Sequence, residues 1–108
     1  MYRRLTFASV RKIALELPGA EDGMSYGAQA VKVKGKLFVR WREDLNAIVL
    51  KTTFDEREAM MEEDPKVYFV TDHYLNYEYV LVSLEHVSRG VLPELIRRSY
   101  DLAKKGKR

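Results

Sequence analysis

The sequence predicts an α+β protein in which helices cover one face of an antiparallel sheet of about five strands. Residues 28–51 alternate apolar with basic positions, and such alternation places the two kinds of side chain on opposite faces of a sheet. Two segments with apolar residues at helical spacing flank the strand-rich part of the chain. The resulting order, α-β-β-β-α-β-β-α, is typical of an antiparallel sheet whose apolar face is packed against helices.

The first helix is predicted to begin after Thr6, which can cap its N-terminus, and to end at Pro18-Gly19. Its apolar stripe consists of Val10, Ile13, Ala14 and Leu17. Residues 20–27 are predicted to form a loop that leads to the first strand.

The second helix is predicted from about Phe54 to Glu63, ahead of Pro65, and a capping-box pattern opens it at Thr53. The last helix has the clearest apolar stripe, which consists of Leu92, Leu95, Ile96, Ser99, Leu102 and Ala103.

The strands of residues 28–51 are predicted to include a hairpin around Gly35. Val33 and Leu37 share a face only if an odd number of residues separates them, so a three-residue loop, residues 34–36, is predicted. This register puts Phe38 on the basic face, opposite Lys32, where it can stack on a base or pack on a neighbouring element. Two further strands, residues 67–70 and 79–84, are predicted from β-branched and aromatic content.

Length and composition favour one soluble domain over residues 1–108, with a basic tail from about residue 104. The 108 residues include no cysteine and no apolar run of membrane-spanning length, so we expect a cytoplasmic protein without membrane association. The net charge is +3. Residues 55–64 carry −5 and the rest of the chain +8, an asymmetry that makes an anionic partner plausible away from the acidic segment.

Sequence motifs for catalysis are missing. The two histidines, His73 and His86, lack the spacing of a zinc site. The chain also has no nucleophile elbow, Walker loop or dinucleotide-binding motif. We therefore expect no enzymatic activity, no cofactor and no bound metal.

Short motifs along the chain resemble, in order and spacing, those of the MmcQ/YjbR family. They are Leu17-Pro18-Gly19, Met24-Ser25-Tyr26-Gly27, Val31-Lys32-Val33, Gly35-Lys36-Leu37-Phe38, Phe69-Val70-Thr71 with His73-Tyr74, and Tyr79-Val80-Leu81-Val82. The resemblance extends from about Leu5 to Lys104 and implies a frataxin-like fold, also compared with a double-wing DNA-binding domain, and DNA as partner. It brings no catalytic residues. The chain departs from the family pattern at Asp72 and Tyr79, where the family often has Pro and Trp.

Two functions are predicted. The first is a monomeric, non-enzymatic DNA-binding domain in which a basic hairpin face contacts phosphates through Lys32, Lys34, Lys36, Arg40 and Arg42. The alternative is an adaptor for a protein or a small ligand, which uses the aromatic loop 71–79 through His73, Tyr74, Tyr77 and Tyr79. Iron binding by analogy with frataxin would need carboxylates on the first helix, which offers only Glu16, so no specific iron binding is expected.

Overall fold

The computed structural model describes residues 5–105, in which three helices lie on one face of a six-stranded antiparallel sheet. The helices are α1 (Phe7–Leu15), α2 (Phe54–Glu63) and α3 (Leu92–Lys105). The strands are β1 (Ala20–Ser25), β2 (Ala28–Val33), β3 (Lys36–Arg42), β4 (Ala47–Lys51), β5 (Tyr68–Phe69) and β6 (Tyr79–Ser83). They lie side by side in the order β1-β2-β3-β4-β6-β5. The predicted α+β class is confirmed.

The sheet has one strand more than predicted, because residues 20–25 form β1 and not a loop. This strand pairs with β2 along its whole length, from Ala20 opposite Val33 to Ser25 opposite Ala28. The residues of β1 are exposed or half-buried, so the segment lacks the apolar alternation that marks a strand in a sequence. The element order is therefore α-β-β-β-β-α-β-β-α.

The predicted three-residue hairpin loop is also wrong. Lys34 and Gly35 alone connect β2 to β3, and both have positive φ, 53° and 76°, as a two-residue type I′ turn requires. Val33 then pairs with Lys36 and Lys32 with Leu37, but Val31 pairs with Val39. Phe38 is thus the extra residue of a β-bulge.

The two-residue turn reverses the predicted faces of Leu37 and Phe38, and the bulge returns Val39 to the core face that the sequence predicted. Phe38 is fully buried in the core beneath the helices, with its ring edge-on to Tyr100 at 5.3 Å between centroids. Leu37 is half-buried and lines a cleft on the opposite face. The two-residue turn is one residue shorter than predicted and the bulge adds one residue to β3, so the two changes cancel after Phe38.

Ser99 of α3 completes the hydrogen bonding at the bulge. Its fully buried hydroxyl donates to the carbonyl oxygen of Phe38 at 2.6 Å and accepts from the amide of Lys51 at 2.8 Å. These two backbone groups belong to neighbouring strands, β3 and β4. One serine in an otherwise apolar stripe therefore ties the last helix to both strands.

We expect Ser99→Ala to lower the free energy of unfolding by about 1–3 kcal/mol, because it leaves the Phe38 carbonyl and the Lys51 amide buried without a partner. Denaturant unfolding measures the change. Ser88→Ala is the matched control, since the Ser88 side chain makes no capping hydrogen bond, and it should stay within about 0.5 kcal/mol of the parent. Equal changes in both variants would contradict the assigned role of Ser99.

The main core lies between the sheet and the helices, with buried side chains from α1, β2, β3, β4, β6 and α3. At its rim the ring of Trp41 stacks on Phe7 at 5.2 Å. A smaller apolar cluster on the other face joins Ala47, Val49 and Leu81 to Tyr74. The 72–79 segment therefore covers the β4 and β6 part of that face, and within residues 5–105 no helix covers the part formed by β1, β2 and β3.

The predicted basic tail is helical up to Lys105, where α3 ends, and its remaining residues, 106–108, lie outside the described residues.

Candidate binding cleft on the open face of the sheet

A cleft of about 300 Å³ lies on the sheet face opposite the helices, between the β1–β2 turn and the 72–79 segment. Its lining residues are Ser25, Tyr26, Leu37, Arg40, His73, Tyr74, Tyr77 and Tyr79. Two surfaces that the sequence predicted separately, the basic hairpin and the aromatic loop, thus meet in one site. The hairpin contributes Arg40, and the loop contributes all four of its predicted residues.

Arg40 of β3 forms the floor of the cleft and links its two sides. Its Nε donates to the carbonyl oxygen of Ser25 at 3.1 Å, and its Nη1 donates to the hydroxyl of Tyr74. The guanidinium carbon lies 5.9 Å from the centre of the Tyr26 ring. The half-buried Arg40 therefore sets the separation of the turn and the loop and places a positive charge between them.

Tyr26 stands at the mouth of the cleft in an unusual conformation. It occupies the first position of the two-residue β1–β2 turn, with φ of 49°, followed by Gly27 with φ of 80°. A bulky side chain is unfavourable in this left-handed region, and at 92% exposure its ring gains no core packing in return. A strained residue that presents an aromatic ring to solvent is a signal of function.

The aromatic loop divides into a fixed part and an exposed part. Tyr74 is buried and contacts His73 and Tyr79 edge-on, at 4.8 and 5.8 Å between ring centroids. Tyr77 is 61% exposed at the rim. The ammonium of Lys51 lies 4.9 Å from the centre of the Tyr79 ring. The sequence is compatible with tyrosines that pin the loop or face a ligand; in the structure Tyr74 is packed against the sheet, whereas Tyr77 is exposed.

Burial raises the pKa of the Tyr79 hydroxyl, and the neighbouring Tyr74 and Tyr26 raise it further. The hydroxyl is consequently protonated at neutral pH, so it can donate a hydrogen bond into the cleft.

Arg57 holds the loop in place, and sequence reasoning missed it. This α2 residue is buried, and its Nη1 donates to the carbonyl oxygens of Tyr74, Tyr77 and Tyr79 at 3.3, 2.8 and 3.0 Å. Its Nη2 donates to the carbonyl of Leu75 at 2.9 Å. The only signal in the sequence was a lone cation among the acids of residues 55–64, which predicts a surface ion pair and not a buried anchor.

The remaining predicted phosphate contacts lie outside the cleft. Arg42 donates to both carboxylate oxygens of Asp44, at 3.0 and 2.8 Å, and this pair raises the pKa of Arg42 and lowers that of Asp44. Lys34 is exposed at the β2–β3 turn, and the alkyl chain of Lys32 lies over Gly23. Lys36, half-buried at the start of β3, interacts within the protein. Arg42 is therefore the predicted contact least able to reach a phosphate, because Asp44 already neutralises it.

Neither a metal centre nor a membrane span is found in residues 5–105. This part of the chain contains no group of three or more His, Cys, Asp or Glu residues placed to hold a metal ion. Its helices are too short or too polar to cross a membrane.

Fold and cleft together define a class of small α+β protein: an antiparallel sheet with helices on one face and an aromatic, basic cleft on the other. The model of the YjbR family matches residues 15–102, and the chain belongs to that family. The resemblance seen in the sequence motifs is confirmed.

The fold is shared with a solved structure. The crystal structure of the Deinococcus radiodurans protein DR2400, which contains a DUF419 domain, superposes with a TM-score of 0.80 at 23% sequence identity. The similarity covers 95% of this chain and 82% of that one, and at this identity it shows the fold alone. No curated protein matches the chain significantly.

Proposed function

We propose that the protein is a non-enzymatic nucleic-acid-binding domain and that its ligand lies on the open face of the sheet. One observation carries the proposal: the cleft on that face combines four tyrosines with the guanidinium of Arg40, and its eight lining residues include no carboxylate. Aromatic rings next to fixed positive charge suit a polyanion with planar bases.

The hairpin cations supply the phosphate contacts in this proposal. Lys32 and Leu37 are paired across β2 and β3, and Leu37 lines the cleft, so Lys32 lies beside it. Lys34 projects from the adjoining turn. Arg40 acts inside the cleft, where two of its N–H groups are already engaged within the protein. Arg42 does not contribute, since Asp44 holds its guanidinium.

The distribution of acids favours the same face. The acidic residues 55–64 belong to α2 and its end, on the helix side of the sheet. Close to the cleft, Glu21 lies opposite Lys32 across β1 and β2. Asp44 lies near enough to Arg40 to interact with it, and Asp72 and Glu78 belong to the segment that borders the cleft. These carboxylates offset part of the positive charge of the open face, whereas residues 55–64 carry −5, so a polyanion approaches the open face more favourably than α2.

A second candidate function is the binding of a small planar anion in the same cleft. The volume of about 300 Å³ lies at the lower end of the range for small-molecule pockets, roughly 300–1,000 Å³. Arg40 and the Tyr79 hydroxyl would then fix the orientation of the ligand. This proposal corresponds to the adaptor function predicted from the aromatic loop.

Salt dependence of oligonucleotide binding tests the main proposal. Each phosphate contact contributes about 0.7 to the slope of log affinity against log salt on single strands and ~0.9 on duplex DNA. The double variant Lys32→Gln/Lys34→Gln removes two contacts, so the magnitude of this slope should fall by about 1.4 on single strands or by about 1.8 on duplex DNA. Fluorescence anisotropy over a salt series measures it.

Lys12→Gln/Lys66→Gln is the matched control, because it removes the same charge at exposed positions on α1 and after α2. Its slope should equal that of the parent. An equal loss in both double variants would mean a general charge effect, and failure to bind at low salt would reject the proposal.

A further inference from the structure

We infer that the nucleic acid is single-stranded and that one unpaired base enters the cleft to stack on Tyr26 and Tyr77. This inference rests on the proposed function and adds the ligand class. It follows from the positions of the aromatic rings and from the shape of the cleft, and not from the charge of the hairpin.

The two exposed tyrosines lie at the rim on different elements. Tyr26 belongs to the β1–β2 turn and Tyr77 to the loop before β6, and both line the same cleft. They are 92% and 61% exposed, whereas Tyr74 and Tyr79 form the more buried inner wall. A planar ring that enters between the two elements finds aromatic surface at the mouth and along the wall.

The polar groups of the cleft match the edge of a base. Arg40 has five N–H donors, of which two donate to Ser25 and Tyr74, so others can donate to a base carbonyl or a phosphate oxygen. The protonated Tyr79 hydroxyl adds a further donor. Donors of this kind are not specific for one base, and stacking tolerates any base.

A duplex does not satisfy this geometry. Its bases are stacked on each other and paired, so a side chain in a concave cleft reaches a base face only after that base leaves the helix, which costs unstacking and unpairing energy. The rings of Tyr26 and Tyr77, at the tip of the β1–β2 turn and at the rim of the loop, cannot stack on the bases of an intact duplex. A single strand offers its bases without this cost.

The left-handed conformation of Tyr26 makes it possible to remove the ring without destabilising the fold, so the effect of the ring on binding can be measured separately. Asn is the residue best suited to the left-handed first position of a type I′ turn before Gly. Tyr26→Asn therefore removes the ring and relieves the strained backbone at the same time. If Tyr26 had only a structural role, Tyr26→Asn would not lower the affinity for nucleic acid while keeping or raising the stability of the fold.

The experiment compares a fluorescent single strand of about 12 nucleotides, within the ~4–16 nucleotides that single-strand sites cover, with its duplex at fixed salt. We expect the single strand to bind at least tenfold more tightly. Tyr26→Asn and Tyr77→Ala should each weaken its binding by about 5- to 100-fold, as expected for loss of one stacked base. The melting temperature of Tyr26→Asn should equal or exceed that of the parent.

Leu75→Ala is the matched control. Leu75 is 50% exposed on the same loop and does not line the cleft, so its loss should leave affinity unchanged. Equal binding of single strand and duplex, with Tyr26→Asn unaffected, would overturn the inference and leave the proposed function intact. Absence of binding to both probes would reject the proposed function itself. A mononucleotide that binds as tightly as the oligonucleotide would also overturn the inference, in favour of the small-ligand function.

Discussion

Replacement of Phe38 by alanine should lower the free energy of unfolding by about 3–5 kcal/mol. The side chain is fully buried between β3 and α3, against Tyr100, so truncation removes a large apolar contact and leaves a cavity that a close-packed core cannot fill. The loss is a substantial part of the ~5–15 kcal/mol that stabilises a domain of this kind. Chemical denaturation measures this change in the free energy of unfolding, and an unchanged m-value shows that the variant and the parent unfold in the same way.

Leu37→Ala is the control for this experiment, because it lies next in the chain and on the opposite face. A half-buried leucine at the edge of the open cleft should lose only about 1 kcal/mol on truncation. The predicted three-residue loop, followed by regular alternation, gives the reverse order, with Leu37 in the core and Phe38 on the open face. The ranking of the two variants therefore decides between the observed register, in which a two-residue turn pairs Leu37 with Lys32, and the predicted three-residue loop.

Replacement of Arg57 by methionine should lower the free energy of unfolding by about 3–5 kcal/mol, with most of the structural effect on the aromatic loop. Methionine preserves much of the aliphatic volume, so the change reports on the lost guanidinium. Four backbone carbonyls between Tyr74 and Tyr79 lose the guanidinium as a donor, and those of Tyr74 and Tyr77 keep one backbone N–H each. Denaturant unfolding measures the total, and amide hydrogen exchange shows whether protection falls first in residues 74–79.

Arg97→Met on α3 is the matched control. Arg97 is exposed and its ion pair with Asp101 is a surface contact at 3.4 Å, so the variant should lose less than about 0.5 kcal/mol. If Arg57→Met behaved like this control, the loop would be held by its tyrosine packing and not by the buried arginine. Because the loop positions Tyr77 and His73, we also expect Arg57→Met to lower the affinity of the cleft for a ligand.

The sequence by itself determined the three helices and the N-terminal caps of α1 and α2, although α1 ends at Leu15 and not at the predicted Pro18-Gly19. The side chain of Thr6 accepts from the amide of Ser9, and that of Thr53 accepts from the amide of Glu56, as the capping patterns predicted. The stripes of α1 and α3 face the core, with Val10 and Ile96 fully buried. Helix hydrogen bonds, caps and stripes depend on residues three or four positions apart, so the information is local and a short window of sequence contains it.

The tertiary structure alone decided the bulge at Phe38, the edge strand β1 and the anchoring of the loop by Arg57. Each depends on hydrogen bonds between segments that are distant in the chain: β1 acquires its strand character from β2, and Arg57 satisfies carbonyls about twenty residues away. The same holds for the cleft, where Arg40 meets Tyr74 of a loop far along the chain. Sequence periodicity records which face a residue prefers, whereas the pairing of distant backbone groups sets the register and thereby brings the tyrosines and the arginine together.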